Sequence, residues 1–280
     1  MSTSMDSNLI NSEFILVKNK KLRKNKTIKP NNLSQVSHFE NNTIDSIIRR
    51  IKSAKQEIIV SDFYKSVKAS TREALSLLIP LKPTEIVCFG LGKVGECTSA
   101  RYQLALLLCL KDFFDVKACI YDPVFTSNDV DILKHFNCLV LSNNSEAKYR
   151  ISSSESLTLF YLPHCPKQLS NNLLWANWGL ELNCCIIIAN SFTKILETNP
   201  SRILQGSANF ISKIVPYTLE LALINTFKYQ DIFNDLSLHI FPNTKLYLIS
   251  KEFWEDRDEP KYTDNDIEFI TKEMADSLKL

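Results

Sequence analysis

A chain of 280 residues with 45% hydrophobic content carries enough apolar side chain for a large packed core, which sets it apart from disordered or fibrous classes. The formal net charge is only +2, from 33 basic and 31 acidic residues, so no molecule-wide field draws it to nucleic acid or to a membrane surface. No run approaches 18 uninterrupted apolar residues, and the opening MSTSMDSNLINSEF lacks the basic start and apolar stretch of a secretory signal; together these predict a cytoplasmic or nuclear protein.

Residues 1–35 are rich in Ser, Asn and Lys, and Lys18, Lys20, Lys21, Arg23, Lys24, Lys26 and Lys29 place seven positive charges within twelve residues. This predicts a solvated basic tail, with a nuclear-entry signal as the functional alternative. Over 36–80 two helices are expected. The first carries Ile44, Ile47, Ile48 and Ile51 at helical spacing behind Thr43 or Asn42 as N-cap, and the second covers 62–79, ending before Pro80.

From 81 to 250 strands and helices alternate: strands at 85–89, 116–121, 138–141, 157–162 and 184–189, and helices at 96–114, 127–136 and 169–178. The strands are continuous apolar runs, as burial on both faces of a parallel sheet requires. The expected fold is therefore α/β, a Rossmann-like doubly wound and mostly parallel sheet with an N-terminal helical extension. Beyond Pro200 a helix is expected over 202–215 and strands over 218–223, 236–241 and 245–250. Residues 251–280 read as an acidic C-terminal extension around Trp254, without visible chemistry.

Three of the five glycines fall in Gly90-Leu91-Gly92-Lys93-Val94-Gly95, directly after the first strand. A G-x-G-x-x-G in this setting lets the backbone turn tightly and brings free N–H groups at a helix start towards a phosphate or carboxylate. The next strand ends at Asp122, 27 residues past Gly95, where dinucleotide-binding domains place the acid that accepts ribose hydroxyls. The competing reading is that the glycines pack a helix on the sheet and Asp122-Pro123 starts a turn. His164 and Cys165 follow the fourth strand, and Asn190 and Ser191 end the fifth, so all are expected near the same sheet edge, at the switch point where such sheets bind ligands. In an extended segment His164 and Cys165 point apart, which argues against their forming a nucleophile and base pair. Cys165-Pro166 is a reported kind of haem-regulatory dipeptide, although two residues are too short to be specific and a loop role is favoured.

Eight cysteines at 88, 97, 109, 119, 138, 165, 184 and 185 show no C-x-x-C and no closely spaced Cys/His set, so reduced core thiols are expected rather than disulfides, and no metal site is assigned. A methyltransferase would want a carboxylate near Cys88, and no dehydrogenase residue can be assigned, so the cofactor is left unknown with a nucleotide-type ligand open. Trp175 and Trp178, three apart on one helix, suit either a core or a partner surface. Walker A, G-x-S-x-G and H-E-x-x-H motifs are all missing from the sequence.

Taken together, CFGLG, QLALLL (103–108), YDPVFT (121–126), LFYLPHCP (159–166), NLLWANW (172–178) and IIIANSF (186–192) resemble the "sensitivity to red light reduced" family of plants, animals and fungi, over about 84–192. The resemblance implies a eukaryotic regulatory protein, in plants one acting in light input to the circadian clock. Animal relatives are linked to haem biosynthesis and clock-gene expression, and the budding-yeast relative to microtubule-related processes. The Asn, Lys and Ile usage suits a fungus. No catalytic residues carry over, so the resemblance favours a non-enzymatic regulator that engages a small ligand or an unidentified protein partner at Gly90, Gly92, Gly95 and Asp122. The alternatives are an enzyme using NAD(P) or S-adenosylmethionine, with His164 as acid or base and Asn190 or Ser191 orienting substrate, and a scaffold using Trp178 or the basic tail.

Overall fold

A computed structural model describes residues 43–78, 81–263 and 267–277. The basic run from Lys18 to Lys29 lies outside the described residues. Helix α1 (Ile44–Ile59) begins at Thr43, whose side chain accepts the Ser46 N–H at 3.3 Å, and its stripe of Ile47, Ile48, Ile51, Ala54 and Ile58 is buried. Helix α2 (Asp62–Leu77) is capped in the same way by Ser61.

The α/β alternation then follows as β1 (Pro83–Phe89), α3 (Thr98–Phe114), β2 (Lys117–Tyr121), α4 (Ser127–His135), β3 (Cys138–Val140), β4 (Leu157–Leu162), α5 (Lys167–Ala176) and β5 (Cys185–Asn190). Short helices α6 (Phe192–Thr198), α7 (Ser201–Ser207) and α8 (Asn209–Ile214) precede β6 (Leu219–Ala222). The chain continues through α9 (Gln230–Phe233), β7 (Leu236–Ile240), α10 (Asn243–Leu246), α11 (Lys251–Glu255) and α12 (Lys272–Ser277).

One seven-stranded sheet has the order β3-β2-β1-β4-β5-β7-β6. Its first five strands are parallel, and β7 enters antiparallel between β5 and β6. Both faces are apolar, in strict alternation. Ile86, Cys88, Leu159, Tyr161, Ile186 and Ile188 pack under α1, α2 and α3, while Val87, Phe89, Phe160, Leu162, Ile187 and Ala189 pack under α5 and α8. That double burial is why the strands read as unbroken apolar runs.

Two local expectations differ from the structure. Residues 245–250 form no strand: α10 follows Pro242, and Tyr247 and Leu248 stand exposed. Both edges of β7 are already taken by β5 and β6, and the chain leaves the sheet at Pro242 by turning directly into α10. The helix expected over 202–215 is split at Ala208 (φ −153°), because the Asn171 amide oxygen accepts the N–H groups of Phe210 (2.8 Å) and Ile211 (3.3 Å) and starts α8 afresh.

Candidate functional site

Strand order places β4 beside β1, so the loops after β1, β2 and β4 converge at the switch point of the sheet. A cleft of about 180 Å³ lies there, lined by Phe89, Gly90, Tyr121, Asp122, Pro123, Val124, Asn144, Glu146, Ala147, His164, Cys165, Pro166, Leu169, Glu268, Phe269 and Ile270. Of the residues foreseen from sequence, Gly90, Asp122, His164 and Cys165 meet in it.

The glycine loop is organised inward. Gly90 and Gly92 have φ of 74° and 73°, a conformation that L side chains rarely adopt. A Cβ on Gly90 would come within 2.3 Å of the Cys165 sulfur, so this glycine makes room for a neighbouring side chain. The Gly92 N–H donates to Asp122 Oδ2 at 2.7 Å and the Gly95 N–H to Asp129 Oδ1 at 2.9 Å, so two donors of the loop are already committed. Asp122 Oδ1 also accepts the Val124 N–H at 3.0 Å. Burial raises the Asp122 pKa, against the pull of these two N–H groups. Helix α3 starts at Thr98, three residues beyond Gly95, after a turn in which the Cys97 N–H returns to the Lys93 carbonyl at 2.9 Å.

His164 and Cys165 point apart. The His164 Nε2 lies 2.9 Å from the Ile232 carbonyl, while the Cys165 thiol donates to the Phe89 carbonyl at 3.3 Å. Burial pushes the Cys165 thiol far above its ordinary pKa, so it is held protonated and unreactive. Asn190 borders this arrangement indirectly, donating from Nδ2 to the Cys165 carbonyl at 3.0 Å. Ser191 is elsewhere in role: it caps α6 by accepting the Lys194 N–H at 3.0 Å. Gly95 sits among Asp129, Ile47 and Ile132, away from the cleft.

Backbone strain gathers on the cleft. Among the described residues six non-glycine positions have positive φ, and four of them, Asp115, Asn137, His164 and Asp235, are of the types that most readily tolerate it. The other two are Glu146 (φ 53°) and Ala147 (φ 59°), and both line the cleft, as does His164 (φ 53°). The first two are held by α5, whose Asn172 Nδ2 donates to the Glu146 carbonyl at 2.9 Å.

Sequence reasoning missed the aromatic walls Phe89, Tyr121 and Phe269, the loop through Asn144, Glu146 and Ala147, and the C-terminal residues Glu268 to Ile270. YDPVFT marked Tyr121, and the asparagines of NLLWANW marked the bracket behind the loop, but nothing local pointed to the C-terminal segment. Trp178 is 2% exposed, stacked on Phe253 and edge-on to Phe210 and Trp254, so it belongs to the core. Trp175 donates from Nε1 to the Arg257 carbonyl at 2.8 Å. All eight cysteines are free thiols, with Cys97 exposed and the other seven buried. Among the described residues no helix is long and apolar enough to cross a membrane.

Residues 67–240, more than half of the chain, match the SRR1 domain. The chain belongs to the SRR1 domain family. The matched span extends beyond the segment in which the sequence motifs cluster, and it contains the sheet and every foreseen cleft residue. Similar proteins include the SRR1-like protein of Mus musculus, 32% identical over 203 residues, covering 61% of this chain and 81% of the mouse protein. The SRR1-like protein of Drosophila melanogaster is 30% identical over 235 residues and 82% of each chain. Protein SENSITIVITY TO RED LIGHT REDUCED 1 of Arabidopsis thaliana is 33% identical over 112 residues, covering 39% of this chain and 40% of the plant protein. A solved structure of a mutant MtNAS in complex with S-adenosylmethionine aligns with a TM-score of 0.37 and 12% identity, over 75% of this chain and 77% of that one.

Proposed function

We propose that this SRR1-domain chain is a non-enzymatic regulator, of the type that acts in light input to a circadian clock, and that it acts by binding a small, largely apolar ligand at the switch-point cleft. The observation that carries the reading is the strained backbone of Glu146 and Ala147 on the cleft wall, since such strain persists only where surrounding structure enforces it and gathers at ligand sites. The walls offer the flat faces of Phe89, Tyr121 and Phe269 with Asp122 at the end of β2, while the other two carboxylates of the lining, Glu146 and Glu268, are paired with Lys148 and Lys167. A regulator without turnover accords with His164 and Cys165, which are tied to separate carbonyl groups and do not face each other.

One observation favours a second reading, an enzyme using NAD(P) or S-adenosylmethionine: Asp122 borders the cleft at the β2 end and keeps lone pairs beyond the two N–H groups it accepts. Thermal-shift titration with NAD, NADP, S-adenosylmethionine, ATP and haemin, alongside native mass spectrometry, tests both. A ligand present at about a hundred times its Kd adds about 2.7 kcal/mol to apparent stability, and the gain should shrink in Asp122→Asn. His164→Asn, which tolerates the same backbone angle, should then leave binding and cellular function intact if His164 is no catalyst; loss of function with retained binding would favour the enzyme.

A further inference from the structure

The C-terminal segment lies across the cleft and is attached by polar groups rather than by a core of its own. Asn144 Nδ2 donates to the Ile270 carbonyl at 2.9 Å, the Glu146 carboxylate accepts the Lys272 N–H at 2.8 Å, and Lys167 pairs with the exposed Glu268 at 3.1 Å. Upstream, the Tyr262 hydroxyl donates to Asn172 Oδ1 at 2.7 Å and accepts from Asn171 Nδ2 at 3.2 Å. In α12 only Ala275 is buried. An element with so few apolar contacts opens at far lower free energy than the sheet beneath it.

Phe269 is the wall between two cavities. It lines the 180 Å³ cleft on one side and a larger space of about 640 Å³ on the other, and both cavities also share Asn144 and Glu146. The cleft alone falls short of the roughly 300–1,000 Å³ typical of small-molecule sites, and residues 267–272 wall both spaces, with Glu268, Phe269 and Ile270 on the first and Ile267, Phe269, Thr271 and Lys272 on the second. We propose that residues 267–272 are a strap that closes the switch-point cleft, and that its release widens the cleft into the ligand-competent site. This rests on the ligand-binding reading above and names how that site is regulated: the closed strap lowers apparent affinity by the fraction of molecules that are open.

The full chain is titrated with anilinonaphthalene sulfonate, a planar aromatic probe, and amide hydrogen exchange is followed in the same samples. Two variants are compared with the parent. Phe269→Ala removes the wall, and Tyr262→Phe removes only the hydroxyl that ties the segment to α5. Each is expected to raise the apparent affinity for the probe about fivefold or more. Exchange at Lys272 and Ala275 should quicken, while Phe160 in β4 keeps its rate. Unchanged probe affinity in Tyr262→Phe alongside faster exchange would overturn the proposal, because the segment would then move without covering anything. Exchange of Lys272 and Ala275 in step with Phe160 in the parent would overturn it too, since the segment would open only by global unfolding. If probe and exchange behave as expected while the nucleotide and haemin panel shifts no variant, the strap stands and the ligand-binding reading falls.

Discussion

Gly90 shows how a motif residue can be right in place and different in purpose. In the sequence it is the first glycine of a phosphate-type loop, whereas in the structure its missing Cβ is filled by the Cys165 sulfur, which bonds the Phe89 carbonyl. Gly90→Ala therefore meets both a left-handed φ and a 2.3 Å clash, and is expected to cost about 2–4 kcal/mol in urea unfolding. Pairing it with Cys165→Ala should recover a large part of that loss; a double variant whose losses simply add would mean the two residues do not share the space. Asp122 was legible as the acid at the end of β2. Its commitment to the Gly92 and Val124 N–H groups was not, because that depends on how the two loops meet.

At the scale of elements, α5 is the bracket of the molecule. Gln168, Ser170, Asn171 and Asn172 are polar yet buried, an expensive arrangement that persists only when their hydrogen bonds are made. Asn171 alone receives the first N–H groups of α8 and donates to Tyr262, while Asn172 holds the strained Glu146. Asn171→Ala leaves buried donors unpaired and is expected to lower stability by about 2–4 kcal/mol, more than the roughly 1 kcal/mol for Tyr262→Phe, as read from denaturant midpoints. The helix itself was readable from its apolar spacing, and NLLWANW stood out as a motif. Its partners lie from 26 to 101 residues away in the chain, beyond any helical periodicity.

For the molecule as a whole, the antiparallel β7 brings a fully buried histidine into the sheet. His239 stacks on Phe192 at 3.7 Å between ring centroids, with Nδ1 donating to the Ile187 carbonyl (3.1 Å) and Nε2 accepting the Phe192 N–H (3.3 Å), an arrangement that suits the neutral ring. Burial lowers its pKa from 6.5 to about 4, with Glu220 opposing the shift. The folded pKa is below the unfolded one, so the unfolded chain takes up the proton first. Stability is full above pH 6.5 and falls as the pH drops towards 4, by on the order of 3 kcal/mol from this group. Urea unfolding across that window should show the fall, and His239→Gln should flatten it; an unchanged slope in the variant would assign the acid sensitivity to other groups.

Local pattern in the sequence determined the alternation of helices and strands, the double-sided burial of the parallel strands, the N-cap at Thr43 and the glycine turn after β1. Each of these is set by residues within a few positions of one another, through side-chain periodicity, capping or the freedom of glycine. Tertiary structure alone decided that the loop donors are spent on Asp122 and Asp129, that non-glycine strain collects at Glu146 and Ala147, and that Phe269 reaches back over the cleft. Those features arise where segments far apart in the chain compete for the same hydrogen bonds and the same space, and that competition is settled only when the layers pack.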